Sequence, residues 1–115
     1  RNGSIINIVD IHSERPLRNH PIYSISKAGL KMLTLSLAKE LAPNVRVNGI
    51  SPGSIIWPQT KGSISDNQKK IMLDRVALKR QGKPKDIAEA VLFLVESDYI
   101  TGQIINIDGG RTLYQ

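Results

Sequence analysis

Two short apolar runs, Ile5-Ile6-Asn7-Ile8-Val9 and Val45-Arg46-Val47-Asn48-Gly49-Ile50, stand on either side of one long helical pattern, and that arrangement limits what the chain can fold into. The first run is β-branched, follows Gly3 and gives way to polar residues, the pattern of an interior parallel strand buried on both faces. Asp10 to His20 is polar, holds Pro16 and reads as a loop, with Pro21 placed near the start of a helix. From Tyr23 to Leu41 apolar residues recur at Ile25, Ala28, Leu30, Leu33, Leu35, Leu37, Ala38 and Leu41, until Pro43 stops the pattern. The spacing predicts a long helix, apolar round most of its circumference and wetted along Lys31, Thr34, Lys39 and Glu40. Such a helix needs a sheet on one side and a second subunit on the other. The second run ends in Ser51-Pro52-Gly53, a strand closing in a sharp turn, so strand, helix and strand form a βαβ unit, right-handed by default.

Residues 54–82 lack a firm period, carry Trp57-Pro58, and predict a functional loop with a helix around Asn67 to Val76. Pro84 followed by Asp86-Ile87-Ala88-Glu89-Ala90-Val91-Leu92-Phe93-Leu94-Val95 predicts an amphipathic helix with its acids near the N-terminus, as the helix dipole prefers. Thr101-Gly102 then turns the chain into a third strand, Gln103 to Ile107, which stops at Asp108-Gly109-Gly110. The order β-α-β-loop-α-β is that of an α/β protein with a doubly wound parallel sheet, of which three strands are in view. Three strands leave the edge of the first one unpaired, so the 115 residues are expected to form the C-terminal part of one larger domain.

Composition excludes several classes of function. There are no cysteines, hence no disulfide framework and no thiolate metal site, and a reducing cytoplasm is the expected setting. No apolar run approaches the roughly 20 residues of a membrane span. Sixteen Lys and Arg against ten Asp and Glu give a net charge of +6, but the basic residues are scattered and the aromatics too few to stack bases. A phosphate-bearing small molecule suits that pattern better than nucleic acid does, and a surface merely rich in lysine explains it more simply than either. His12 and His20 flank a loop without ligands at metal spacing, so no metal site is expected.

Chemistry concentrates in Tyr23-Ser24-Ile25-Ser26-Lys27, which sets a phenol and an ammonium at i and i+4 on one helical face. A nearby lysine cation lowers a tyrosine pKa from its ordinary value of about 10, making the phenol a better proton donor to a carbonyl or imine that receives hydride. Surface helices show this spacing too. Its position one loop after a buried strand, at the carboxyl edge of the sheet where α/β proteins bind ligands, tips the balance towards function.

Ser4 to Asp10, the Tyr-x-x-x-Lys motif, the segment Arg46-Val47-Asn48-Gly49-Ile50-Ser51-Pro52-Gly53 and the closing Thr101-Gly102 to Asp108-Gly109-Gly110 strand together resemble the short-chain dehydrogenases/reductases over nearly the whole chain. The resemblance implies that Tyr23 is the general acid and that Lys27 holds the nicotinamide ribose hydroxyls while lowering the Tyr23 pKa. It implies that Pro52, Gly53, Ser54 and Ile55 pass beside the nicotinamide of NADPH, with NADH as the competing cofactor. It also implies a homo-oligomer, a dimer or tetramer, and a missing N-terminal half that carries the Gly-rich pyrophosphate turn.

Asp10 departs from the family pattern: thirteen residues before the tyrosine most members place a serine. A carboxylate there resembles the pteridine reductases and dihydromonapterin reductases. Reduction of a pterin C=N bond needs a proton on ring nitrogen, which a carboxyl beside Tyr23 can relay, and substrate amino groups suit a carboxylate acceptor. Asp at a strand end is equally a cap or turn residue. Trp57 is a candidate cover for the substrate ring, or a packing residue of its loop. The expected activity is therefore NADPH-dependent reduction of a pterin by Asp10, Tyr23 and Lys27. Another carbonyl reduction, such as that of a 3-oxoacyl group, and a non-catalytic assembly module are the alternatives.

Overall fold

A computed structural model of the chain describes residues 3–55 and 65–114. Three parallel strands, β1 (Gly3–Ile8), β2 (Val45–Pro52) and β3 (Ile104–Ile107), form one sheet in the order β1-β2-β3. Helix α1 (Pro21–Leu41) crosses from β1 to β2, while α2 (Asp66–Asp74) and α3 (Pro84–Glu96) lie between β2 and β3. Register pairs Gly3 with Val45 and Ile8 with Ile50, then Gly49 with Ile104 and Pro52 with Ile107.

The sheet's two faces follow from the period of two along each strand. On one face Ile6, Ile50, Ile105 and Ile107 pack with Ile87 and Leu94 of α3 into the main apolar cluster, in which Ile50 and Leu94 are fully buried. On the other face Asn7 reaches α1, its Nδ2 donating to Thr34 Oγ1 at 2.9 Å. Helices therefore cover opposite faces, the doubly wound arrangement expected of an α/β protein.

Thr34, expected on the wet side of its helix, is instead fully buried, because its hydroxyl donates to Leu30 O at 2.8 Å and accepts from Asn7. A satisfied hydroxyl can enter a core that an unpaired one cannot. Strand β1 also departs from the expected burial on both faces: Ile5 and Ile8 are 38% and 46% exposed. The physical reason is that β1 has β2 alone as a neighbour and edges the described sheet.

Polar residues of β2 lock the crossover from α3 to β3. Fully buried Asn48 donates from Nδ2 to Ile100 O at 2.9 Å and accepts from Gln103 N at 3.0 Å. Arg46 donates to Leu94 O at 2.8 Å, Ser97 O at 2.7 Å and Val95 O at 2.9 Å, supplying donors to the last carbonyls of α3. Arg46→Met in the intact protein is expected to lower unfolding stability by about 2 kcal/mol, read as an earlier urea midpoint with an unchanged slope. An unchanged midpoint would show that water replaces the guanidinium at no cost.

On the outside, Ile22, Ile25 and Met32 of α1 and Leu92 and Phe93 of α3 are exposed. No helix among the described residues is long and apolar enough to cross a membrane.

Candidate functional site

Strand β1 delivers the chain to the site. Val9 is buried and donates its N–H to Ile50 O at 2.7 Å, carrying the sheet pairing one residue beyond the strand. Asp10 follows in extended backbone and caps a short 3-10 turn, Ile11–Ser13. Its Oδ1 accepts His12 N at 2.9 Å, and its Oδ2 accepts the Tyr23 hydroxyl at 2.6 Å. The cap role and the site role thus coexist, one on each carboxylate oxygen.

Tyr23 stands in the first turn of α1, which begins at Pro21 as N1, where proline lacks only an N–H that has no partner in a helix anyway. Leu17 N donates to Ser24 Oγ at 3.0 Å and His20 O accepts Ser24 N at 3.0 Å, so the loop is pinned to that turn beside the phenol. One turn on, the Lys27 ammonium lies 5.8 Å from the Tyr23 ring centroid. The i, i+4 pair and the carboxylate thirteen residues before it are therefore brought together.

Their electrostatics run against the expectation. The Tyr23 hydroxyl is pushed up to about 12, first by its hydrogen bond to Asp10, then by desolvation and by the Asp10 charge. The carboxylate is in direct contact with the hydroxyl, whereas the ammonium stands 5.8 Å from the ring centroid. The phenol here is a hydrogen-bond donor that holds its proton firmly, and Asp10, in place of Lys27, sets its acidity.

The β2 end lies nearby. A Cβ on Gly53 would stand 2.7 Å from Asp108 Cβ and 3.0 Å from its Cα, so glycine is required by the close approach of β3. Gly53 N donates to Ile107 O at 3.0 Å. Ser54 Oγ accepts Gln81 Nε2 at 2.8 Å, and its carbonyl accepts Gly82 N at 2.9 Å. Ile55 bridges to Gly82 and packs on the α3 cluster, with Pro52 closing β2 before it. Trp57 lies outside the described residues.

A cavity of about 310 Å³ joins these parts, lined by Asp10 and Leu17, by Gly53 and Ser54, by Met72 of α2 and by Arg111 beyond β3. Sequence reasoning did not single out Met72 or Arg111. The only signal for Arg111 was its place just after a strand end. Asp108-Gly109-Gly110 is the expected turn: the Asp108 carboxylate accepts Gly110 N and Thr112 N at 3.0 Å each, and both glycines have positive φ. His12 and His20 point ring nitrogens at the carbonyls of Arg15 and Arg18, and no His, Cys, Asp and Glu cluster among the described residues could hold a metal ion.

The chemistry this geometry offers is proton donation from a phenol tied to a carboxylate, beside a cation with unspent donors. Among the described residues Lys27 Nζ has no hydrogen-bond acceptor, a donor set that fits the vicinal hydroxyls of a ribose.

Comparison with known proteins agrees with the fold. The profile of a family described as "Enoyl-(Acyl carrier protein) reductase" matches residues 1–112. The 3-oxoacyl-(acyl-carrier-protein) reductase FabG of Thermotoga maritima is 42% identical over 116 residues, covering 98% of this chain and 47% of that protein. Carbonyl reductase family member 4 of Danio rerio is 43% identical, covering 96% and 46%. A solved structure of a putative 2-deoxy-D-gluconate 3-dehydrogenase from Agrobacterium tumefaciens, with bound NADP, superposes with a TM-score of 0.90 at 36% identity, covering 98% of this chain and 48% of that one. The chain spans about half the length of the relatives it matches.

Proposed function

The chain belongs to the short-chain dehydrogenase/reductase family, and on that premise we propose that it forms the proton-donating, substrate-facing part of an oxidoreductase acting on a small carbonyl compound with NADPH. The observation that carries the reading is the 2.6 Å bond from Tyr23 to Asp10 with Lys27 one helical turn away, at the carboxyl edge of a parallel sheet.

When bound, the cofactor supplies the hydride. Lys27 would hold its ribose hydroxyls. Tyr23 would donate its proton to the oxygen that gains charge as the carbonyl is reduced, and Asp10 would hold the hydroxyl in the resting site. NADPH is preferred to NADH because NADP is bound in the Agrobacterium structure. The reading includes a dinucleotide-binding half in the intact protein, and a homo-oligomer that covers the exposed apolar residues of α1.

The names of the relatives favour a carbonyl such as a 3-oxoacyl group over the pterin that the sequence suggested. Asp10 keeps the pterin as a second reading, since its carboxylate could accept an amino group and relay a proton to ring nitrogen. Loss of NADPH absorbance in the intact protein, with methyl acetoacetate against dihydrobiopterin, separates the two. Turnover of the ketone alone is expected; turnover of the pterin alone would replace the leading reading, and turnover of neither would remove both.

A further inference from the structure

Helix α2 buries none of its residues fully and is exposed along its length except at Met72 and Leu73, which are half-buried. Met72 takes no part in the main apolar cluster. It lines the cavity that also holds Asp10, Leu17 and Ser54. Its thioether is therefore turned to the cavity side of the fold and not to the core.

Two side chains fix it there. Ser54 Oγ donates to Met72 Sδ at 3.4 Å and itself accepts Gln81 Nε2 at 2.8 Å. A hydroxyl has one proton, and because the Gln81 amide approaches it as a donor, that proton is left for the sulfur. Methionine is unbranched and has three rotatable side-chain bonds, so unaided it conforms to whatever it meets. A bond to sulfur is weak, but it selects one conformation of a side chain that would otherwise hold many. Gly82 N also donates to Ser54 O at 2.9 Å, which keeps residues 81 and 54 adjacent whatever side chain residue 81 carries.

The polar side chains of the cavity already have partners in the fold. Asp10 accepts His12 N and the Tyr23 hydroxyl, Ser54 serves Gln81 and Met72, the His12 ring meets Arg15 O, and Arg111 Nη1 donates to Tyr114 O. Met72 and Leu17, with the buried Ile11 and Val76, offer hydrocarbon and sulfur instead. A polar group set against them would leave its hydrogen bonds unmet.

We propose that Met72 is a specificity-determining residue, the wall on which an apolar substituent of the substrate rests, and that Ser54 and Gln81 are positioning residues that hold it in place. This deepens the reductase reading and rests on it for the reducible group, which would lie on the Asp10 side of the same cavity. The substrate class is then a carbonyl compound bearing an alkyl or aryl group.

Three keto esters test this in the intact protein with NADPH: methyl acetoacetate, methyl 3-oxopentanoate and methyl 3-oxohexanoate, which carry methyl, ethyl and propyl on the ketone. In the wild type kcat/KM is expected to rise about three- to fourfold per added methylene, through KM. Met72→Ala should remove most of that gain. Gln81→Glu is the sharper variant, because a carboxylate takes the Ser54 proton and leaves Met72 without its donor while the Gly82–Ser54 backbone bond remains. The gain should fall there too, and this variant carries the test if Met72→Ala does not fold. No gain in the wild type, a gain that survives Met72→Ala, or an equal fall for all three esters overturns the proposal. A gain lost in Met72→Ala but kept in Gln81→Glu would retain the wall and overturn the role of Gln81. If none of the esters is reduced, the reductase reading fails separately, and calorimetric binding of the same series decides the role of Met72. Affinity that climbs with each methylene, and ceases to climb in Met72→Ala, would support the wall; affinity that is absent or flat would overturn it.

Discussion

Tyr23→Phe in the intact protein is expected to lower kcat by about 10²–10⁴-fold while leaving KM for NADPH within a few-fold of wild type. The hydroxyl stands at the carboxylate of Asp10 and the residue is exposed at the site rather than packed in the core. Removing it costs a single hydrogen bond to Asp10 at an exposed position, so the thermal midpoint should hardly move. That contrast matters, because a residue needed only for folding would lower both. Steady-state rates and a melting curve on the same preparation check it, and retention of kcat would show that another group supplies the proton. Lys27→Ala should behave differently, since its ammonium makes no bond within the described residues and its work would fall on the cofactor. Its expected signature is a raised KM for NADPH.

How far the sequence disclosed this site depends on the range over which each signal acts. The strands and helices were legible because their signals are periodic: the apolar series from Ile25 to Leu41 lies in α1, the run Val45 to Ile50 lies in β2, and the run Gln103 to Ile107 contains β3. The juxtaposition of Tyr23 and Lys27 was legible as well, through spacing and through the topology that brings a strand end back to a helix start, and Asp10 was singled out through the family resemblance. The burial of Thr34 was not, because it depends on Asn7, 27 residues away, offering an amide to the hydroxyl. Composition along α1 carries no trace of that partner. The direction of the Tyr23 shift was hidden for a related reason. Sequence reveals that lysine follows at i+4, but whether a carboxylate or an ammonium makes direct contact is decided by the 3-10 turn that Asp10 caps. Arg111 joined the site through tertiary structure alone, from the far end of the chain.

Asp10→Asn is expected to bring the Tyr23 titration down from about 12 toward the ordinary phenol value of about 10. The largest cause of the upward shift is the hydrogen bond that the hydroxyl donates to Asp10, and the carboxylate charge adds to it. An amide at the same place carries no charge and can donate to a phenolate, so both contributions shrink. Phenolate absorbance between about pH 9 and 11 reads this directly: wild-type Tyr23 should stay mostly protonated across that window while the variant's ionises. Tyr23→Phe, measured alongside, supplies the signal of the remaining tyrosines. Coincident wild-type and Asp10→Asn curves would show that the carboxylate does not control the phenol. The same linkage fixes the sign for folding. A raised phenol pKa means that the folded protein holds this proton more tightly than the unfolded chain. The stabilisation is therefore complete below about pH 10 and is lost as pH climbs towards about 12. Catalysis should respond in the opposite sense to Asp10→Ser, which frees the hydroxyl to face a carbonyl: ketone reduction is expected to survive or improve. If pterin turnover exists, it should fall by tenfold or more, since the proton relay to ring nitrogen goes with the carboxylate. A ketone rate that collapsed together with the pterin rate would place Asp10 in the proton path of both reactions.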